Sequence, residues 1–374
     1  MTTIVKAATA AQFLSLVPRM LGYRPTRSLV MIPFSGSRSL GAMRLDLPAD
    51  EDEADSVAAT FLGMVCRLPG ADAVASIAYT DASLAEGMPH ETLAAALSRR
   101  ADTCGIRLTD SLCVGANGWG SYLDPDLPAG GHPLSELGDE PPGAEHLAIA
   151  DGDQAAGAEL PASDLVEKET VARALQNLAE AVGLLCGTDA GAGATSPDHR
   201  VDPLALTAVC DLDDLPGLFE EALTWDCDGL DAYDIAVLVW CLSRPALRDI
   251  ALVEWCGGLD AGDEAFDAQL RWEAGEEYPA HLAMHMWGEG ERPDPERLET
   301  ALRLARQAAA AAPTASRPGP LATCAWLSWA LGRSTHAEKY ATQACEIEPE
   351  HGLAEIVRSF VHAGHLPDWA FRPR

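Results

Sequence analysis

Residues Arg297-Leu-Glu-Thr-Ala301 through Pro313 align without gaps to Arg333-Ser-Thr-His-Ala337 through Pro349, and this internal repeat constrains the fold more than any other feature. Ala301, Ala305, Gln307, Ala308 and Pro313 match Ala337, Ala341, Gln343, Ala344 and Pro349. Alanines three and four apart share one helix face, and their small side chains let a neighbouring helix approach closely. A proline ends each copy, because it lacks the N–H that would continue the helix. The repeat therefore predicts helices that bury their apolar faces by stacking.

The surrounding pattern extends this reading. Everything after Val201 reads as helix, in segments near 203–210, 215–225, 231–242, 245–255, 264–273, 295–312, 321–331, 335–347 and 352–363, separated by Asp, Pro or Gly breaks. The two copies resemble the second helix of tetratricopeptide repeats, with Gly332 at the preceding turn, although the first-helix signature is missing. Residues 201–374 are thus expected to form an all-helical, repeat-like domain. Before it, 164–185 reads as an amphipathic helix and 187–198 as a flexible Gly/Ala/Thr/Ser linker, so 162–200 is expected to connect two domains.

The N-terminal part alternates between helical and strand patterns. Thr9 and Gln12 fit a capping box ahead of the apolar stripe Phe13, Leu14, Leu16, Val17, Met20 and Leu21, with Pro18 expected to kink or split the helix. Strands at 28–34 and 40–47 are joined by the polar turn 35–38, which predicts a hairpin. A helix at 50–68, a central strand at 73–79, a helix from about 89 to 105 and a strand at 107–115 follow. This order describes an α/β domain over residues 1–161, a mixed sheet with covering helices. Its last third, 116–161, is rich in Gly, Pro and Asp and reads as a functional loop or a linker.

A chain of 374 residues suits two domains. Its 57 acidic residues against 26 Lys and Arg give a net charge of -31, which repels nucleic-acid phosphates and anionic lipid heads. Neither nucleic acid nor a membrane is therefore an expected partner. The acidity keeps the chain soluble and is equally compatible with a basic protein partner. The ten cysteines are scattered with no C-x-x-C pair, the pattern of buried thiols in a reducing compartment. With no signal-peptide pattern and no apolar run of eighteen residues, the cytoplasm is the expected location.

Candidate chemistry is sparse. His281 and His285 sit four apart but lack a third ligand, and no metal or cofactor is expected. The run Gly115-Ala-Asn-Gly-Trp-Gly120 follows a strand without the spacing or the lysine of a phosphate loop. Arg24, Arg27, Arg38 and Arg44 are conspicuous in so acidic a chain; if clustered around one sheet edge, their guanidinium groups can receive a carboxylate or phosphate, and equally they can pair with Asp46, Asp50 and neighbouring acids. Asp81 ends the central strand on the side where open sheets hold ligands, and Trp119 and Tyr122 follow in the next loop. No nucleophile with a base beside it is apparent, so the catalytic residues are unknown. The seven Trp of the helical half read as core or helix-interface anchors.

The run Val17-Pro-Arg-Met-Leu-Gly-Tyr-Arg-Pro-Thr-Arg-Ser-Leu-Val30, followed by Arg44-Leu-Asp-Leu-Pro48, Tyr79-Thr-Asp81, Asp110-Ser-Leu-Cys-Val114, Trp119-Gly-Ser-Tyr122 and Pro367-Asp-Trp369, resembles DUF4192, an actinobacterial domain-of-unknown-function family. The resemblance covers nearly the whole chain and implies an intracellular protein, with no activity attached. Relatives tend to carry cysteines after the Trp-Ser-Tyr region; Leu127-Pro-Ala-Gly-Gly-His-Pro133 has none.

Three functions are in view. The leading one is a protein-binding scaffold that uses the helical domain. The alternative is a small-ligand or enzymatic α/β domain, with an anionic ligand near Arg24, Arg27, Arg44, Asp81, Trp119 and Tyr122. A third treats the acidity as mimicry of nucleic acid towards a basic protein.

Overall fold

A computed structural model of the protein describes residues 6–138, 149, 151–187 and 201–372. They fall into two compact units, one reaching Gly157 and including Phe371, the other Ala158–Ala370. Most of the predicted linker at 187–198 lies outside the described residues.

The first unit opens with α1 (Ala10–Leu21), started where the Thr9 hydroxyl accepts from the Gln12 N–H at 3.2 Å. The Gln12 side chain accepts from the Ala8 N–H instead of that of Thr9, so the expected box closes one residue early. α1 runs through Pro18 as one element, because the proline sits in the last turn where little helix remains to disrupt. Gly22 then ends it with φ 83, a left-handed conformation that only glycine adopts cheaply.

Six strands form one mixed sheet: β1 (Ser28–Ser35), β2 (Arg38–Ser39), β3 (Met43–Asp46), β4 (Ala73–Tyr79), β5 (Arg107–Val114) and β6 (Trp119–Ser121). The order is β2-β1-β4-β5-β6, with β3 also on β1. β1 pairs antiparallel with β2, β3 and β4, so the predicted hairpin forms, its second arm broken at Leu40–Ala42. Only β4 and β5 run parallel, joined through α3 (Glu91–Cys104), as parallel neighbours need a crossover. α2 (Ala54–Arg67) begins after a short 3-10 turn at Glu51–Glu53, which takes up the start of the acidic run.

Alternation along the strands makes three layers. Leu14 and Val17 of α1 pack on Val30, Ile32, Ile77, Tyr79, Leu112 and Trp119. Leu29, Met31 and Val74 face the other way, against Phe61, Leu62 and Val65 of α2 and Leu93 and Leu97 of α3. β6 was not visible in the sequence. Three residues with a central glycine carry no readable alternation.

The second unit is entirely helical among the described residues: α4 (Leu165–Cys186), α5 (Pro203–Asp211), α6 (Leu215–Ala222), α7 (Ala232–Leu242), α8 (Pro245–Gly257), α9 (Leu259–Glu273), α10 (Ala280–His285), α11 (Pro295–Ala311), α12 (Pro318–Ala330), α13 (Ser334–Ile347) and α14 (Gly352–His362). α4, a connecting helix by sequence, packs on α5 and α7 inside this unit. Asn177 and Tyr233 both donate to the Asp202 carboxylate, at 3.1 and 2.8 Å, and tie the three helices together.

The internal repeat becomes structure in α11 and α13. Ala301, Ala305 and Ala308 are fully buried, and so are their counterparts Ala337, Ala341 and Ala344. Both helices pack against α12, every residue of which is buried. Each Ala stripe therefore serves the close approach its sequence predicts. Trp255, Trp326, Trp329 and Trp369 anchor the surrounding core, and each indole N–H finds a backbone carbonyl, on Phe219, Met286, His365 and Ala330.

No helix of the described residues is long and apolar enough to cross a membrane.

Candidate functional site

The α/β unit brings some of the sequence-predicted residues together and separates others. Arg27 and Asp81 meet at the carboxyl end of β4, Nε to Oδ2 3.9 Å, with side chains 78% and 80% exposed. The Arg44 side chain is nearly buried; it donates to the Ser28 hydroxyl at 2.7 Å and pairs with Asp46. Tyr23 lies close to both, its phenol pKa raised first by burial. Arg24 is exposed and its backbone N–H donates to Gly152 O at 3.2 Å.

Trp119 and Tyr122 end on opposite faces of the sheet. Trp119 packs under α1, stacked on His132 at 4.6 Å, and its indole N–H has no partner. Tyr122 packs with Ala78, Leu84 and Cys113 on the other side and donates to Pro89 O. Burial raises its pKa and pushes that of Cys113 up to about 11, so neither is poised to ionise. Three positions apart at a strand, the two rings cannot line one ligand pocket.

Sequence reasoning overlooked the residues around Asp81. Thr80 Oγ1 lies 3.2 Å from His90 Nε2, so Arg27 and His90 flank consecutive residues. Both have positive φ, 44 and 60, and they are the two non-glycine residues of the described chain that do. Such backbone costs about 1–3 kcal/mol per residue and gathers at functional sites.

The glycine run after β5 is a packing device. A Cβ on Gly118 would meet Gly130 O at 2.4 Å, and the Asn117 side-chain Oδ1 accepts from the Leu84 N–H and the Ser83 hydroxyl. The N–H groups of Gly115, Ala116 and Trp119 are taken by Gly118 O, Ala82 O and His132 O, so they are not offered to a ligand. The helical histidines diverge too. His281 meets Glu264 at 2.8 Å, while His285 packs on Trp369.

The helical unit holds a cavity of about 610 Å³ that sequence reasoning missed altogether. It opens where three helices begin: Pro245 and Arg248 of α8, Pro318 and Gly319 of α12, and His351, Gly352 and Ile356 around α14. Trp287 and Ile356 stand at its rim, 52% and 41% exposed. The rim is held firmly. Met286 O accepts from the Trp326 indole at 3.0 Å, and the Trp287 ring leans on Phe360 at 5.2 Å.

One signal for this cavity was in the sequence, the tripeptide Ser-Arg-Pro at both 243–245 and 316–318. In each copy the arginine reaches back to the end of the preceding helix. Arg244 donates to Trp240 O at 2.7 Å, and Arg317 to Ala312 O at 2.9 Å. In each copy the proline then starts the next helix, and the serine lines the cavity. The copies touch, since a Cβ on Gly319 would meet Leu242 O at 2.4 Å.

Comparison with known families gives a match over nearly the whole chain. Residues 11–368 match the model of the domain of unknown function DUF4192. The chain belongs to the DUF4192 family. No curated protein and no solved structure matches it. The structure offers two candidate sites, the exposed Arg27–Asp81 corner and the cavity between the helix starts.

Proposed function

We propose that this DUF4192 protein is a protein-binding scaffold whose helical unit docks a segment of another protein in the cavity between the starts of α8, α12 and α14. The observation that carries the reading is the rim. Trp287 and Ile356 expose large apolar surface beside a concave space of about 610 Å³. Burying such surface gains about 25 cal/mol per Å², and aromatic side chains at the edge of a pocket are the usual anchors of an interface. Affinity capture from a lysate, run in parallel with wild type and with Ile356→Asp and Trp287→Ala variants, tests it. A partner held by wild type and lost by both variants is expected. Partners retained unchanged by both variants overturn the reading.

A second reading, a small anionic ligand on the α/β unit, draws its support from the positive-φ residues Arg27 and His90 beside Thr80 and Asp81. A thermal-shift series with phosphate and small dicarboxylates checks it. Stabilisation that vanishes in Arg27→Ala supports the site, and no stabilisation by any of them removes it.

A further inference from the structure

The cysteines of the α/β unit fall into two kinds. Cys113 is buried, whereas Cys66 and Cys104 are exposed. Cys66 stands in the last turn of α2, and Cys104 is the last residue of α3. The starts of these two helices meet where the Thr92 hydroxyl donates to Glu51 Oε2 at 3.1 Å. Their ends meet at the two thiols, which share a hydrogen bond. α2 and α3 therefore run parallel over the same face of the sheet and present both cysteines at one end.

Two exposed thiols in contact are a reactive arrangement. A disulfide needs its sulfurs about 2.05 Å apart and its Cβ atoms about 3.5–4.5 Å apart. Side chains whose sulfurs already meet approach that geometry by turning their own χ angles, and the last turn of a helix is where the backbone yields most easily. Burial, then the Cys104 thiol beside it, raises the Cys66 pKa, so Cys66 is the member that keeps its proton. Neither thiol stands at a helix N-terminus, the place where catalytic thiolates are generated. The pair is therefore suited to closing a bond and not to rapid turnover. Its wide spacing in the chain hides it from any C-x-x-C pattern. In a reducing compartment, disulfides of this kind are transient and redox-sensing.

We propose that Cys66 and Cys104 are a redox modification site, a reversible disulfide that clips the ends of α2 and α3 together in the presence of a peroxide. The Cys104 thiolate attacks one peroxide oxygen, the O–O bond breaks, and the released hydroxide takes up the proton that Cys104 gave. The Cys66 sulfur then attacks the sulfenic acid on Cys104. The S–S bond forms, the S–O bond breaks, and the leaving hydroxide takes the Cys66 proton. The two thiols lose two electrons in all, and one peroxide is reduced to two waters. A small thiol such as glutathione reopens the bond by exchange, two of its molecules being oxidised to their own disulfide. The site lies in the α/β unit and stands whether or not the helical unit docks a partner.

The test treats the full-length, folded chain with hydrogen peroxide at about pH 8.5, where free thiols are half ionised, and maps the products by mass spectrometry after alkylation. Trypsin leaves Cys66 on the peptide ending at Arg67 and Cys104 on the one ending at Arg107. The two peptides are expected to be joined, lighter by two hydrogens than the sum of the parts, and to be separated by dithiothreitol. Because the bond constrains the unfolded chain, the oxidised protein is expected to melt about 5 °C or more above the reduced one. Cys66→Ser and Cys104→Ser should each lose the cross-link and the shift, and dimedone should trap a sulfenic acid on Cys104 in Cys66→Ser. Circular dichroism of both variants separates a lost thiol from a damaged fold. Absence of the joined peptides at peroxide levels that oxidise free glutathione overturns the site. So does a bond between copies, seen as a dimer on a non-reducing gel. A cross-link that lowers the melting temperature overturns it too, since it would close only by distorting the helix ends.

Discussion

Two of the arginine–aspartate pairs, Arg27–Asp81 and Arg248–Asp249, live in opposite environments. Arg27 and Asp81 face solvent at 3.9 Å, where water competes for both charges. Arg248 is almost buried and shares one carboxylate oxygen with Asp249 at 2.8 Å. An exposed pair is worth about 0–1 kcal/mol, so the α/β corner can exchange partners at little cost. Buried charge must be matched within the fold or by a ligand, and the helical unit carries more of it. Glu254 is fully buried with both oxygens unpartnered, and Arg297 turns instead to Glu220, with two bonds at 2.8 and 2.7 Å. The lesson is that the Arg27–Asp81 pair sits on the surface, whereas Arg248 and Glu254 are built into the packing of the second unit.

The largest expected effect breaks that second arrangement. Arg297→Met leaves Glu220 beside Glu254 without a counter-ion and removes donors to the backbone oxygens of Glu254 and Trp255. A loss of about 3 kcal/mol in the helical unit is expected from urea unfolding. An effect under about 1 kcal/mol would mean that this cluster behaves like a surface one.

The Glu254 carboxyl supplies the next. Burial, then the neighbouring Glu220, pushes its pKa up to about 8, well above the usual carboxylate range. The folded state therefore keeps a proton that the unfolded chain releases near pH 4.5. Stability should fall as pH rises from about 4.5 to about 8 and then level off. Glu254→Gln should abolish the slope and be the more stable protein at pH 9. Parallel melting curves at pH 5 and pH 9 measure it.

Two smaller effects sharpen the α/β side. Gly118→Ala forces a methyl against Gly130 O and His132 O, backbone atoms that cannot step aside, for an expected loss of about 1–3 kcal/mol. Asp81→Ala should change stability by no more than about 0.5 kcal/mol. A larger loss would show that the Arg27 contact holds the left-handed backbone in place.

Local chemistry explains what was readable in advance. Asp231 caps α7 through the N–H groups of Tyr233 and Asp234, a pattern confined to four consecutive residues. The burial of Ala78 and Tyr79 on opposite faces follows from alternation alone. The candidate site was legible only in pieces. Asp81 was found from the strand it ends, but its neighbour His90 was not, because nothing in the sequence announces a left-handed histidine at a helix start. Trp119 and Tyr122 were grouped by proximity in the chain, and the unread strand β6 sent them to different faces.

By itself the sequence determined the starts of α5, α6, α7, α8, α11 and α14, the paired Ala stripes of α11 and α13 and the strands around β4, since these depend on neighbours within a turn or two. By contrast, α9 starts five residues before the expected 264, and α10 was not read as a segment. The tertiary structure alone decided that the two Ser-Arg-Pro segments touch through Gly319, that three helix starts open on one cavity, and that Glu254 is left without a partner. Periodicity tells each helix which face to bury. Which helix arrives to cover that face, and which charged group is caught beneath it, is settled only when all the packing surfaces compete at once.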